Sequence, residues 1–247
     1  MKKGAYLLLN LFYLITFFFL ACYSVEDEDN ITVHFLKAHK SEKYTNYQPK
    51  IRNEIFKTIN LFQEHFPLEN IDVIVTNDPY NQLIIPHLGI GGLAYERTTV
   101  LIVIYFGNIY LDKTIESELK RILLHELNHV IRKRETLNPF STLFRAIISE
   151  GIADQFELAV TGERPQRWST ALTEKQYEEC LKLMKENPWN NKFDHSRWFF
   201  GRGDLPRWAG YSIGFRLVGD LLKGHPKVSI IDLTKMSPRD IYLKLNL

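Results

Sequence analysis

The stretch Glu118-Leu119-Lys120-Arg121-Ile122-Leu123-Leu124-His125-Glu126-Leu127-Asn128-His129-Val130-Ile131-Arg132-Lys133 contains neither proline nor glycine, and its apolar residues recur every three or four positions. That spacing predicts an amphipathic helix. At about 100° per residue, His125 and His129 fall only about 40° apart around its axis, one turn separated. Two imidazoles so placed can reach a single metal ion at about 2.0–2.1 Å. Glu126 lies about 100° round from His125. It cannot share the ligand position, but it can face a water on the metal. Ile122, Leu123, Leu127, Val130 and Ile131 supply packing around this stripe. Arg132, Lys133 and Arg134 read as a cationic helix end that suits the macrodipole.

A catalytic zinc site usually has three protein ligands and an open fourth position. After His129 the chain lacks Gly at 132 and His at 135, so an H-E-x-x-H-x-x-G-x-x-H continuation is absent. Farther on comes Ser149-Glu150-Gly151-Ile152-Ala153-Asp154 in a second helical pattern, with Glu150 lying 21 positions past His129. A loop through Asn138-Pro139 leaves enough chain for a return helix beside the first. Glu150 is the candidate third ligand, with Glu157 and Glu135 next in line. Gly151 and Ala153 are small enough for close helix approach. Asp154, one turn beyond Glu150, can accept the spare N–H of a ligand histidine.

Upstream, Ile31 to Leu36 has strand character, and a helix is expected to open at Pro49 with a stripe of Ile51, Ile55, Ile59, Phe62 and Phe66. Ile71 to Val75 and Thr98 to Phe106 read as strands. Between them, Gly89-Ile90-Gly91-Gly92 lacks the Lys-Ser/Thr of a phosphate loop and reads as flexible backbone near a cleft. Helices are expected over 115–133, 140–160, 173–187, 207–223 and 238–245. The fold class is therefore α+β: an N-terminal mixed sheet with helices over 31–114, and a zinc-site helix with a mainly helical lobe over 115–247. The active-site cleft is expected between them.

Hydrophobic residues at 45% and charged residues at 24% exclude a disordered chain and a multi-span membrane protein. Without Lys2 and Lys3 the basic and acidic counts are equal, which gives no electrostatic case for nucleic acid as a partner. Residues 1–22 read as a leader: Lys2 and Lys3 precede an apolar run from Ala5 to Ala21, broken only by Asn10 and Thr16. Phe19-Leu20-Ala21-Cys22 resembles a bacterial lipoprotein signal, with Phe19 where that signal usually has Leu. The resemblance implies a lipid on Cys22 and an acidic tether over 23–30. Cleavage to a secreted protein and retention as an uncut anchor are the alternatives; all three put the body outside the cytoplasm. Cys180 would then have no partner and reads as a buried small apolar residue.

H-E-x-x-H followed by a helical E-G-x-A-D segment resembles the gluzincin metallopeptidases. Within that group the chain is most similar to an uncharacterised bacterial family of predicted zinc-dependent proteases, which also carries Trp208-Ala209-Gly210-Tyr211-Ser212-Ile213-Gly214. The resemblance covers about residues 90–215. It implies a zincin-like fold and one Zn²⁺ per chain held by His125, His129 and Glu150. It further implies Glu126 as general base for hydrolysis of a peptide or protein substrate. Tyr211 and His195 are candidate donors to the oxyanion, against readings as a core tyrosine and a loop histidine. The substrate would lie along Thr99–Ile104 if that strand is an exposed edge, and not if it is central. Two other classes stay open: a non-catalytic extracytoplasmic lipoprotein using the frame as a binding module, and a metalloenzyme acting on a non-peptide amide or ester.

Overall fold

The computed structural model describes residues 30–36, 41–78, 80, 83–136 and 138–247. The leader, Cys22 and nearly all of the expected tether lie outside the described residues. Among those described, no helix is long and apolar enough to cross a membrane.

The expected α+β architecture is present. Strands β1 (Ile31–Phe35), β2 (Ile71–Asn77), β3 (Ile90–Tyr95) and β4 (Thr99–Ile104) form one mixed sheet in the order β1-β2-β4-β3. β1, β2 and β4 run parallel, while β3 returns antiparallel at the edge. The apolar run of β4 is therefore central, paired on both sides and buried at Val100, Ile102, Val103 and Ile104. This overturns Thr99–Ile104 as a substrate-binding edge, because its backbone groups are consumed by β2 and β3. The edge on that side of the sheet belongs to β3, the glycine-containing segment.

Helix α1 (Glu42–Gln63) begins seven residues before Pro49. Ser41 caps it by accepting from the Tyr44 amide at 3.1 Å. Tyr44 is buried, with its hydroxyl donating to the Val75 carbonyl at 3.1 Å, so packing holds the turns upstream of the proline. Tertiary contact outweighs the start signal that Pro49 offers in sequence.

One helical turn (Leu111–Lys113) and a π-turn (Thr114–Glu118) lead into α2 (Leu119–Glu135), the H-E-x-x-H helix. Its Leu119, Leu123, Leu124, Leu127 and Val130 share the core of the sheet and α1. The remainder is helical: α3 (Leu143–Thr161), α4 (Glu174–Glu186), α5 (His195–Phe200), α6 (Ala209–Gly224), α7 (Ile230–Lys235) and α8 (Pro238–Lys244). A second core gathers Phe144, Ile147, Ile148, Trp198, Phe199, Ile213 and Leu217, and Cys180 is buried within it as a free thiol.

Helices α3 and α6 meet at backbone contact. A Cβ on Gly151 would lie 2.1 Å from the Gly214 carbonyl carbon, and one on Gly214 would lie 2.0 Å from the Ile147 carbonyl oxygen. The small residue beside Glu150 thus serves approach to α6, which carries Tyr211.

Candidate active site

Helix α2 contributes His125, Glu126 and His129, all buried, and α3 contributes Glu150 and Asp154. His125 Nε2 and His129 Nε2 are 3.0 Å apart. Glu150 Oε2 lies 3.1 Å from the first and 3.3 Å from the second. Three atoms able to accept thus point at one another in a nearly equilateral triangle. Tetrahedral zinc with bonds of about 2.0–2.1 Å requires ligand separations of about 3.3 Å. The three separations come within about 0.3 Å of that requirement, and the residues form a group able to hold a metal.

His125 Nδ1 lies 2.9 Å from Asp154 Oδ1. Asp154 can accept from Nδ1–H, an arrangement that would leave the Nε2 lone pair for a metal when one is bound. Asp154 is itself held by Trp168 Nε1 at 3.1 Å and by the Ser169 hydroxyl at 2.7 Å. Burial lowers the basicity of His125, but its contacts with Asp154 and Glu150 outweigh this and raise it well above the usual imidazole range. Burial likewise pushes the Glu150 carboxyl up, and the facing His129 and His125 more than reverse it, holding it far below the usual carboxylate range. His129 Nδ1 is buried with no partner among the described residues.

Glu126 is positioned from the sheet. Its Oε2 accepts from the Ala94 amide of β3 at 2.7 Å. Gly92 on the same strand leaves room for it: a Cβ there would lie 2.6 Å from Glu126 Cγ. Lys133 donates to the Ala94 carbonyl. Arg132 is fully buried, giving hydrogen bonds to the Leu233 and Thr234 carbonyls at 2.9 and 3.0 Å and to the Ser149 hydroxyl at 3.2 Å. Burial pushes its guanidinium down to about 9. Arg134 reaches the Arg97 and Glu69 carbonyls. The cationic helix end is thus a set of clamps on backbone carbonyls, which composition does not reveal.

A cavity of about 620 Å³ opens over His125 and Glu126, and Tyr211, Trp168 and Trp208 line it. Tyr211 is raised well above its ordinary range by burial first, and then by the charges of Glu150, Asp154 and Glu126. His195 is not among the lining residues; its ring stacks on Phe199 at 4.4 Å between centroids, and burial lowers its basicity. Glu157 is engaged by Arg121, at 2.5 and 3.1 Å, away from the triangle. Ala94, Trp168 and Ser169 carried no motif and were missed in the sequence.

A sheet-backed helix bearing two histidines, closed by a glutamate from the next helix, presents a buried group able to hold a metal ion. The chain belongs to the family described as Predicted Zn-dependent protease (DUF2268), whose pattern matches residues 51–243. No curated protein and no solved structure matches it.

Proposed function

We propose that the chain is a peptidase of gluzincin arrangement, in which His125, His129 and Glu150 hold a single Zn²⁺ and Glu126 is the general base. The ligand triangle of 3.0, 3.1 and 3.3 Å carries this reading. Bound there, zinc would supply Lewis acidity, lowering the pKa of a water and polarising the scissile carbonyl. Glu126, held by the Ala94 amide, takes a proton from the attacking water and returns it to the leaving amine. Asp154 keeps the His125 ring in its working tautomer. Tyr211 is better supported than His195 as donor to the developing oxyanion, since it lines the cavity and its raised pKa keeps the phenol protonated.

The edge strand suggests how a peptide docks. The Ala94 amide and carbonyl both leave the sheet, toward Glu126 and Lys133. Residues alternate along an antiparallel pair, so Ile90 and Gly92 face outward as well. The Ile90 carbonyl is taken by the Ile85 amide. Gly92, lining the cavity, has no outward backbone partner among the described residues and can pair with an extended substrate. The apolar leader and Cys22 support an extracytoplasmic, lipid-anchored body.

The test is turnover of a peptide library by the zinc-loaded protein and by Glu126→Gln. The expected result is cleavage by the first, and loss of several orders of magnitude in the second with zinc retained. Full activity in Glu126→Gln would remove the general-base role, and no cleavage by the unaltered protein would leave a binding module.

A further inference from the structure

The mouth of the cleft carries two guanidinium groups that meet no carboxylate among the described residues. Arg202 and Arg207 both line the cavity, and both are exposed. They bracket the turn Arg202-Gly203-Asp204-Leu205-Pro206-Arg207, which contains one acid, Asp204. Arg197 takes that acid in a two-point contact, Nε to Oδ1 at 2.6 Å and Nη2 to Oδ2 at 2.9 Å. Gly201, in the left-handed region at φ +67°, packs on the other end of the turn: a Cβ there would lie 2.8 Å from Arg207 Cα. The turn is therefore closed, with its acid spent and its two flanking cations without a carboxylate partner among the described residues.

Arg207 is further held against the Trp208 indole, its guanidinium carbon 4.4 Å from the ring centroid. Leu83, Ile84, Ile85 and Pro86 supply an apolar wall to the same cavity. Cations beside low-dielectric walls focus their field into a cleft. The body of the chain beyond Lys2 and Lys3 is charge-balanced, so a cationic rim is not the overflow of a basic protein.

We propose that Arg202 and Arg207 form a carboxylate-recognition subsite at the cleft mouth, directing the site to apolar peptides that bear an acidic side chain or a free C-terminal carboxylate. A planar guanidinium fork matches a carboxylate in two parallel hydrogen bonds, which a neutral amide does not reproduce. That a peptide is the ligand rests on the peptidase reading above; that a carboxylate is recognised rests on the two arginines.

The test is binding to the full-length, zinc-supplemented Glu126→Gln protein, read by fluorescence anisotropy so that hydrolysis plays no part. The probes are labelled Leu/Ala peptides with one central glutamate or glutamine, each with a free or amidated C-terminus. Charge-assisted hydrogen bonds make the expected preference for a carboxylate about tenfold or more at low salt, shrinking as salt rises. Comparing the four peptides separates the side chain from the terminus. The preference should vanish when Arg202→Gln and Arg207→Gln are added, and persist with Arg216→Gln, whose guanidinium pairs with Glu174 outside this cavity. Should the double variant lose its melting transition, the single Arg202→Gln at an exposed side chain carries the test. Equal affinity for acidic and neutral peptides, a preference that survives the double variant, or no binding of any peptide overturns the subsite. Turnover by the unaltered protein is scored separately. Selective binding without cleavage refutes only the peptidase reading, and cleavage without acid preference refutes only the subsite.

Discussion

Glu126 and Ala94 are joined by a hydrogen bond of 2.7 Å, from a backbone amide on the sheet edge to a carboxylate on the metal-site helix. The bond crosses between two elements that sequence patterning treats separately. It makes the position of the proposed base depend on strand β3. On the proposed peptidase reading, aim of the carboxylate and docking of a peptide would be governed by the same few residues of that strand.

Gly92→Ala tests that dependence. The added methyl would sit 2.6 Å from Glu126 Cγ and 2.7 Å from an Ile122 methyl, so the carboxylate must shift. Misplacement on this scale costs about 100-fold in rate. The expected outcome is a kcat lowered by about that factor with zinc content unchanged, measured by steady-state kinetics beside elemental analysis.

Asp154→Asn should weaken metal binding by about 10–100-fold without abolishing it. An asparagine oxygen can still accept from His125 Nδ1, and the Trp168 and Ser169 contacts still crowd the group into place. Competition with a chelator of known affinity measures the change. An unaltered zinc affinity would remove the tautomer-fixing role.

Glu157→Gln separates the two glutamates of α3. Glu157 is 3% exposed and bound to Arg121, so neutralising it leaves a partly buried cation with a weaker partner. Stability should fall by about 1–3 kcal/mol in chemical denaturation, while zinc content stays that of the parent. Loss of zinc in this variant would move the third ligand from Glu150 to Glu157.

Gly151→Ala addresses the helix pair behind the site. Its methyl meets the Gly214 backbone, which has no flexible end to give way. Overpacking of this kind costs about 1–3 kcal/mol, and here it also pushes on Glu150 and Tyr211 from behind. A lower melting temperature with reduced zinc affinity is expected; a change in melting temperature alone would mean that the strain is absorbed away from the site.

The grouping of His125, His129 and Glu150 was legible because its chemistry is written at helical spacing: His125 and His129 one turn apart, and Glu150 with Asp154 one turn apart. The parts that escaped depend on pairing between distant segments. Whether Thr99–Ile104 lay at an edge could not follow from an apolar run, since only the antiparallel return of β3 decides it. Pro49 misled because its local preference is outweighed by Tyr44 packed beneath β2. The arginines of the α2 end looked like a solvated helix terminus, yet Arg132 is wholly buried against α7 carbonyls. Backbone donors such as the Ala94 amide carry no side-chain signature at all.

The most direct measurement is the zinc content of the purified protein and of Glu150→Ala, by elemental mass spectrometry after reconstitution. About one zinc per chain is expected in the parent, matching a single three-ligand site, with loss or marked weakening in the variant. A folded parent that takes up no zinc, or a Glu150→Ala protein that holds it unchanged, would contradict the metal centre on which the proposed chemistry rests.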